Sequence, residues 1–358
     1  MYKFLRIFLV LIMLTGLKVT AMFGQIGGLG TYKLLYSINS SRIAGLGGNF
    51  LAIKDDDITL ALPNPSLISP ELNNNLALTY SNFAGMGYGY IMYSRTFNKV
   101  GSFAGTLQFI NYGQFTRADE AGITSGDFTA NDFALTIGWG RQLSPHFSIG
   151  ANAKVIYSAY DTYRSVGIAV DAAGTYTSRD NLFTASLLAR NIGSQLVPYI
   201  PGNYQPIPFQ LQIGLSQGLT HIPLRFSLLF NHLERWDLTY FDPNAPGNQK
   251  DPITGAVKSK SGINKFADNL MRHIVFGGEL TIAKVLALRI GYNYETRQEL
   301  KPPDRAGIGG LSFGFGLHIK MFTIGYTRET YMAGPINPNY FTVAVNLGEF
   351  TKKREAGN

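Results

Sequence analysis

Two groups of residues in this sequence are of types that do chemistry: a serine in a hydrolase-like motif and five histidines. Gly310-Leu311-Ser312-Phe313-Gly314 has the G-x-S-x-G spacing of a serine nucleophile, but that motif requires a strand-to-helix turn that exposes the hydroxyl. Here it falls within an apolar/polar alternation typical of a strand, so no nucleophile is predicted. The histidines are too far apart for an H-x-x-x-H ligand pair. They are His146, His221, His232, His273 and His318.

Three adjacent acidic residues, Asp55, Asp56 and Asp57, offer the oxygen ligands that calcium prefers. They lack the spaced ligands and the following glycine of a calcium loop, so we expect them to make turn and lumen hydrogen bonds instead. The sequence contains no cysteine, which excludes thiol nucleophiles, thiolate metal sites and disulfides. It thus predicts a protein that is not an enzyme, with no catalytic residue, no cofactor and no metal site.

The composition favours strands over helices. Of the 358 residues, 45% are hydrophobic and only 15% are charged, and the chain contains 40 Gly, 24 Phe and 20 Tyr. Glycine weakens helices, whereas aromatic residues favour half-buried strands. Most of this chain is therefore expected to be β-structure.

The first 24 residues have the layout of a secretory signal peptide. Lys3 and Arg6 precede an apolar run over residues 7–14, and small residues follow near Ala21 and Gly24. A transmembrane anchor is the alternative, but the run is shorter than the roughly 20 apolar residues that cross a bilayer. Removal of this segment lowers the net charge from +8 to +5. Because the remaining cations are scattered, nucleic acid is not an expected partner.

From about residue 75 to residue 347 the chain repeats segments of strict apolar/polar alternation, which is the pattern of strands. In one segment Leu286, Leu288, Ile290, Tyr292 and Tyr294 share one face. The strands of soluble sandwiches are usually about five or six residues long, whereas a strand that crosses a membrane needs about nine to eleven. The strands are predicted to start near residues 75, 86, 101, 133, 147, 166, 182, 209, 224, 272, 285, 310, 322 and 340.

The connections between these strands alternate between short and long, as in outer-membrane barrels. Tight joins lie near residues 98–99, 144–146, 178–181, 220–223, 281–284 and 320–321. Between them lie longer segments at 113–132, 192–208, 234–271 and 296–309, and shorter ones at 158–165 and 331–339. An open sheet edge cannot be satisfied in lipid, so the sheet must close. The predicted fold is an all-β transmembrane antiparallel β-barrel of about 14 strands, over residues 75–348, with a C-terminal tail at 349–358.

Residues 25–74 do not alternate and form a separate element. A barrel of about 14 strands encloses a lumen too wide for its own side chains to fill. We therefore predict that this segment is a plug, here called the hatch. Its candidate functional residues are Arg42, Asp55, Asp56, Asp57, Asn64 and Pro65.

Two resemblances follow from these residues. The Gly-rich stretch at 44–48, the acidic run at 55–57 and Asn64-Pro65 before the first strand resemble the hatch of the long-chain fatty-acid transporter (FadL-like) barrels. Together with segments 115–122, 236–240, 266–273 and 291–300, they also resemble the PorQ family of outer-membrane barrels in the type IX secretion system. This second resemblance spans nearly the whole chain.

The second resemblance implies a structural role at the cell surface. It implies an attachment complex in which the barrel anchors a PorZ-like surface protein beside PorU and PorV, while secreted cargo is attached to anionic lipopolysaccharide in the outer membrane. The candidate contact residues are Arg117, Asp119, Glu120, Trp236, Asp237, Lys250, Lys258 and Lys260, on long connections where function usually lies. Alternatives are an ordinary solvated loop at 234–271 and a FadL-like transporter of hydrophobic small molecules.

Overall fold

The computed structural model describes residues 30–48, 50–239, 262–300, 308–331 and 337–349. The predicted signal peptide and all of the predicted tail except Glu349 lie outside the described residues. So do three of the predicted contact residues, Lys250, Lys258 and Lys260.

The described residues form one closed antiparallel barrel of 14 strands, in which each strand pairs with its sequence neighbours and β1 pairs with β14. The prediction of a closed transmembrane barrel is confirmed. The strands are β1 (Asn75–Phe83), β2 (Met86–Phe97), β3 (Gly101–Ala118), β4 (Thr124–Gln142), β5 (Phe147–Tyr160), β6 (Tyr163–Thr177), β7 (Phe183–Val197), β8 (Gln210–Gly218), β9 (Leu224–Phe230), β10 (Ile274–Ile282), β11 (Leu286–Asn293), β12 (Leu311–Ile319), β13 (Phe322–Glu329) and β14 (Asn339–Asn346).

Along the strands most outward-facing side chains are apolar, whereas the lumen side carries polar side chains together with some apolar ones such as Leu229 and Val275. In β14, Phe341 and Val343 are 54% and 44% exposed, whereas Thr342 between them is 7% exposed. A soluble barrel would have the reverse arrangement. Because lipid offers no hydrogen bonds to the backbone, a closed barrel with an apolar exterior is the β-structure that crosses a bilayer.

One predicted loop is wrong. Residues 113–132 form mainly a hairpin, because β3 continues to Ala118 and β4 begins at Thr124 instead of near residue 133. A turn over residues 119–123 joins the two strands. The part of this hairpin beyond residue 113 has no barrel strand beside it, since β2 pairs with β3 only as far as Asn111. Its side chains on both faces are exposed, so the strand carries no apolar/polar alternation that would reveal it.

Two further boundaries differ from the prediction. The predicted connection at 158–165 is shorter than expected, since only residues 161–162 lie between β5 and β6. Asp161 in this two-residue turn has a positive φ of 54°. Tyr294, predicted to continue its strand, instead begins a helix. The helix starts there because the Asn293 side chain accepts a hydrogen bond from the backbone N–H of Thr296 at 3.1 Å, which caps the first turn.

The helices are short. They are α1 (Ser41–Gly45) in the hatch, and α2 (Gly262–Arg272) and α3 (Tyr294–Glu299) in the connections at one end of the barrel. That end, which also carries the β3–β4 hairpin, is here called the long-loop end. The opposite end has short turns only, at 98–100, 143–146, 178–182, 219–223, 283–285 and 320–321. No helix in the described ranges is long and apolar enough to cross a membrane.

The hydrophobic core lies inside the barrel. Its centre is formed by hatch side chains that are almost completely buried, among them Ile43, Leu46 and Phe50. These pack against inward-facing Leu229 and Val275 from β9 and β10. The hatch therefore fills the middle of the lumen, as predicted, and supplies the apolar surface that the polar inner wall lacks.

Candidate functional site

Arg42 in α1 is the centre of a charged contact between the hatch and the barrel wall. Its guanidinium lies 2.6 Å from the Asp55 carboxylate, 3.2 Å from the Asp57 carboxylate and 2.7 Å from the Glu279 carboxylate. Arg289 contacts the same Glu279 carboxylate at 2.7 Å. Two hatch carboxylates and one strand carboxylate thus share Arg42, and we call this cluster the charged anchor.

The carboxylates around Arg42 stabilise its charged form. Burial alone would lower the pKa of Arg42, but the carboxylates of Asp55, Glu279 and Asp57 outweigh burial and raise the pKa well above its usual range. A buried cation needs such partners, because an unpaired charge in a low-dielectric interior is costly. Arg42 is therefore a charged residue at neutral pH.

Short local hydrogen bonds place the acidic run beside Arg42. The Asp57 carboxylate accepts from the backbone N–H of Thr59 at 2.9 Å and so caps the 3₁₀ turn Ile58–Leu60. The backbone N–H of Asp57 donates to the Asp55 carboxylate at 3.1 Å. The Asp56 side chain is exposed. Of the three predicted aspartates, the structure brings Asp55 and Asp57 to the anchor and leaves Asp56 facing the opening.

Asn64 forms a second, neutral contact with the wall on the other side of the lumen. Its amide N–H donates to the backbone carbonyl of Leu51 at 2.6 Å and to the Thr175 hydroxyl of β6 at 3.1 Å. Its amide oxygen accepts from the backbone N–H of Ser66 at 3.0 Å, which caps the turn Pro65–Leu67. We call this cluster the neutral anchor.

Inward-facing glycines let the hatch backbone approach the strands at the neutral anchor. A Cβ atom at Gly150 of β5 would overlap the backbone carbonyl of Pro65, and one at Gly140 of β4 would overlap the carbonyl of Ile68. Close backbone approach is a general use of glycine in strands. The predicted hatch residue Pro65 thus lies in a contact that requires glycine opposite it.

A cavity of about 410 Å³ lies between the hatch and the long-loop end, and is here called the outer cavity. Its lining combines aromatic and aliphatic side chains with amides and carboxyl groups. It includes Lys33, Tyr36, Ile38, Tyr88, Ile110, Tyr112, Gln210, Gln212, Leu229, His232, Val275, Glu295, Ser312, Glu329, Tyr331 and Tyr340. The volume lies in the range of small-molecule sites.

Three titratable side chains, Glu295, His232 and Glu234, lie together beside the outer cavity. Burial raises the pKa of Glu295 in α3 to about 7. Burial alone would lower the pKa of His232, but its hydrogen bond with Glu234 at 3.1 Å and the charges of Glu295 and Glu234 raise that pKa overall. Burial would raise the pKa of Glu234, but the hydrogen bonds from His232 and from the Leu211 N–H lower it. At the outer cavity, burial therefore favours the neutral form of Glu295.

A second cavity of about 480 Å³, here called the inner cavity, opens towards the short-turn end. It is lined by the charged anchor, including Arg42, Asp57 and Glu279, and by cationic side chains such as Arg225 and Lys284. The two cavities share no lining residue. The hatch, with its two anchors, lies between them.

The predicted contact residues of the hairpin shape their own turn. Arg117 of β3 forms an ion pair with Asp161 of the β5–β6 turn. The Asp119 carboxylate accepts from the backbone N–H groups of Ala121 and Ile123 at 3.0 and 2.8 Å. Glu120 is exposed at the tip. Arg117 and Asp119 are thus engaged in contacts within the protein, whereas Glu120 is exposed to a partner.

Trp236 and Asp237 lie together beside α2. Trp236 is half exposed and stacks on His273 with ring centroids 5.4 Å apart, and the tilted ring of Phe266 lies 5.3 Å away. Asp237 accepts from the Thr239 hydroxyl at 2.6 Å and from the Thr239 backbone N–H at 2.9 Å, and these bonds lower its pKa. Trp236 therefore presents apolar surface at the long-loop end, whereas Asp237 is engaged in its own turn.

Ser312, the serine of the hydrolase-like motif, lies within β12 and is buried against the lumen. The strand-to-helix turn that a serine nucleophile needs is not formed there. Across the ranges that the structure describes, no group of three or more His, Asp or Glu side chains is arranged to hold a metal ion.

No family model and no curated protein matches this sequence. Among solved structures, the chain is similar to the Pseudomonas putida toluene transporter TodX, with 12% identity and a TM-score of 0.49, over 90% of this chain and 98% of that chain. It is similar to a Pseudomonas aeruginosa FadL homologue, with 10% identity and a TM-score of 0.47, over 87% and 99% of the two chains. It is also similar to the monoaromatic hydrocarbon channel CymD, with 10% identity and a TM-score of 0.44, over 88% and 97%. At these identities and TM-scores the comparisons assign the chain to no family.

Proposed function

We propose that this protein is a bacterial outer-membrane barrel that takes up small molecules from the cell exterior through the outer cavity. The observation that carries the proposal is the outer cavity itself, a space of about 410 Å³ at the long-loop end whose floor includes the hatch residues Gly47 and Gly48. The apolar exterior of the strands fits a lipid bilayer, and the longer connections fit the cell surface.

The lining indicates the class of molecule. Leu229, Val275 and Ile110 offer apolar surface, and Tyr88 and Tyr112 offer aromatic rings with a polar edge. Small-molecule sites are mostly apolar with a few polar groups that fix orientation. We therefore expect ligands with an apolar or aromatic body, such as monoaromatic hydrocarbons, in agreement with a FadL-like transporter of hydrophobic small molecules.

Passage through the barrel requires the hatch to move. The charged and neutral anchors both hold it, and the outer and inner cavities are separate in this structure. Uptake is therefore a two-step event, in which a ligand fills the outer cavity and the hatch then rearranges. The charged anchor is the contact that lines the inner cavity, so it faces the exit of this path.

The test is uptake of radiolabelled toluene by liposomes that contain the protein, with matched variants on neighbouring strand positions. Ser312→Trp places an indole in the outer cavity, whereas Phe313→Trp changes the next residue, which is 50% exposed and faces lipid. We expect Ser312→Trp to abolish uptake and Phe313→Trp to leave it unchanged. Uptake no faster than in protein-free liposomes, or equal in both variants, would refute the proposal.

A second candidate function is the anchoring of a PorZ-like surface protein, with PorU and PorV, in a type IX secretion attachment complex. Two features of the long-loop end favour it. The β3–β4 hairpin extends beyond its barrel neighbours, and α2 exposes Ile263 and Phe266, which are 82% and 57% exposed, beside Trp236. An exposed apolar patch of this kind is typical of a protein-interaction site.

Copurification from the outer membrane of the native cell tests this second candidate. We expect a PorZ-like protein to copurify with the wild type and to be lost in Trp236→Ser combined with Phe266→Ser. A matched control is Trp139→Ser, since Trp139 lies near the opposite end of the barrel on β4. Retention of the partner by the double variant, with the barrel inserted normally, would exclude this surface as its binding site.

A further inference from the structure

The short-turn end carries a ring of exposed cations, four in separate turns and a fifth, Arg141, at the end of β4 beside the turn that contains His146. We call this ring the basic rim. A histidine, His221, occupies the sixth turn. The members of the basic rim, all exposed, are Lys99, Arg141, Arg179, Lys284 and Lys320.

The surroundings of the basic rim contain few acids in the part of the chain that the structure describes. Within the described part of the chain, none of the five forms an ion pair, whereas Arg117 and Arg272 at the long-loop end pair with Asp161 and Asp268. One acid shares a rim turn, Asp180, and its carboxylate accepts from the Ser178 hydroxyl and the Leu182 N–H. Among the described residues, the other exposed acids at this end are Asp56, Glu71 and Glu349.

Three lysines of the rim occupy backbone positions that do not favour lysine. Lys99, Lys284 and Lys320 have φ angles of 76°, 58° and 55°. In this left-handed region glycine and asparagine are the favoured residues, and other side chains cost about 1 kcal/mol or more. Asn181 fills such a position in the turn at 178–182, with a φ of 57°. Turn geometry alone would therefore select asparagine or glycine at all three lysine positions.

Exposed apolar side chains stand beside these cations. Val100, Leu143, Val285 and Ile319 are 54%, 60%, 48% and 52% exposed, each within two residues of a rim cation. Ile222, next to His221, is 52% exposed. In a turn that faced only water, these exposed apolar side chains would add no stability. The combination of one cation with a neighbouring apolar residue fits the boundary between lipid chains and headgroups, where long basic side chains extend towards the polar layer.

We propose that the basic rim binds the headgroups of anionic glycerophospholipids in the membrane leaflet at the short-turn end. The ammonium and guanidinium groups donate hydrogen bonds to phosphate oxygens, and the apolar neighbours enter the acyl layer. The inference goes beyond solute uptake and does not depend on it. It requires only that the barrel lies in a bilayer.

The distribution of the cations favours separate lipids over one acidic protein. The rim places single cations on separate hairpins around the barrel, from the β2–β3 turn with Lys99 to the β12–β13 turn with Lys320. Each cation therefore suits one singly charged headgroup. The inner cavity that opens inside the ring is lined by both signs of charge, and its lining includes the rim lysines Lys284 and Lys320 beside the acids Asp56 and Glu349. It therefore offers no uniformly basic surface to one acidic protein placed across it.

The test compares wild type with the triple variant Lys99→Asn, Lys284→Asn and Lys320→Asn. Asparagine suits the left-handed turns, so the variant loses charge without a backbone penalty. The detergent-solubilised proteins are titrated with phosphatidylglycerol or with phosphatidylcholine, and bound lipid is counted by native mass spectrometry. Since one basic side chain near an anionic surface contributes about fivefold, we expect the variant to lose at least about fivefold in phosphatidylglycerol binding.

A matched control removes three cations at the opposite end, through Arg117→Gln, Arg164→Gln and Lys265→Gln. We expect this control to bind phosphatidylglycerol as the wild type does, and both variants to keep the wild-type strand signal in circular dichroism. Equal wild-type affinity for the two lipids would overturn the proposal. So would equal losses in the two variants, or a preference of the wild-type rim for polyglutamate over phosphatidylglycerol in competition.

Discussion

The two anchors attach the hatch to the barrel wall through different interactions, ion pairs at one and neutral hydrogen bonds at the other. At the charged anchor, Arg42 and the carboxylates of Asp55, Asp57 and Glu279 meet beside the inner cavity. At the neutral anchor, Asn64 meets Thr175 through hydrogen bonds. The first contact bridges a space that opens to solvent, whereas the second is a close-packed contact between backbones.

This difference determines how each anchor fails. A buried ion pair adds little net stability, yet the loss of one partner is costly because it leaves uncompensated charge. A neutral hydrogen bond contributes about 1 kcal/mol, and its loss costs the desolvation of one or two groups. We infer that loss of Arg42 disrupts all contacts of the charged anchor together and can release the hatch. At the neutral anchor, each lost hydrogen bond weakens the attachment separately.

The largest effect is expected from Arg42→Met. The change keeps the volume but leaves Asp55 and Asp57 without their cation and Glu279 with Arg289 alone, so the free energy of unfolding falls by about 3–5 kcal/mol. Urea unfolding in detergent micelles measures this loss. In planar bilayers the same variant should open an ion-conducting path, because the hatch loses its hold beside the inner cavity.

Arg179→Met is the matched control for Arg42→Met, because Arg179 is exposed and unpaired within the described residues. Its change in stability should lie within about 0.5 kcal/mol of zero. If Arg42→Met is as stable as this control and equally non-conducting, the charged anchor does not hold the hatch.

The barrel and the hatch residues were predictable for different reasons. The strands follow from period-two alternation, a local signal that repeats along the chain. Arg42 and Asn64 were singled out because they lie in a non-alternating segment whose Gly-rich stretch, acidic run and Asn-Pro resemble a FadL-like hatch. Their wall partners Glu279 and Thr175 were not found, because nothing in one sequence says which lumen-facing side chain a hatch residue meets.

A weaker signal for the wall partners is nevertheless present. Glu279 and Arg289 are charged residues at inward positions of β10 and β11, and they face each other in the register. Once the strands are placed, an acid and a base at facing lumen positions mark an ion-pair site. Gly140 and Gly150 likewise stand at facing inward positions. The prediction of a loop at 113–132 was wrong because the sequence signal is missing there. A strand that is exposed on both faces has no apolar/polar alternation.

The next largest effect is expected from Gly150→Ala, which tests the close packing of the neutral anchor. The added methyl would overlap the Pro65 carbonyl, so backbone must shift, at about 2–3 kcal/mol of the free energy of unfolding. Gly105→Ala is the control, because a Cβ at Gly105 of β3 meets no atom within 4 Å. A loss no greater for Gly150 than for Gly105, by urea unfolding, would show that the hatch does not depend on this contact.

Asn64→Ala should have a smaller effect, about 1–2 kcal/mol, because it removes the cap of Ser66 and the bonds to Leu51 and Thr175 without introducing a clash. Hydrogen exchange should speed up at the backbone N–H of Ser66. Conductance should stay at the wild-type level, since Arg42 still holds the hatch. A conducting Asn64→Ala variant would contradict the assignment of release to the charged anchor.

The smallest effects separate the three aspartates. Asp57→Asn keeps an acceptor for Thr59 and loses only the 3.2 Å contact with Arg42, so we expect a loss of about 0.5–1 kcal/mol. Asp55→Asn removes the 2.6 Å contact and should cost somewhat more, since the shorter charge-assisted bond is the stronger one. Asp56→Asn should leave urea stability unchanged, because its exposed side chain faces the inner cavity without contacting Arg42. Equal losses at the three positions would mean that the net charge of the acidic run, and not its contacts with Arg42, stabilises the hatch.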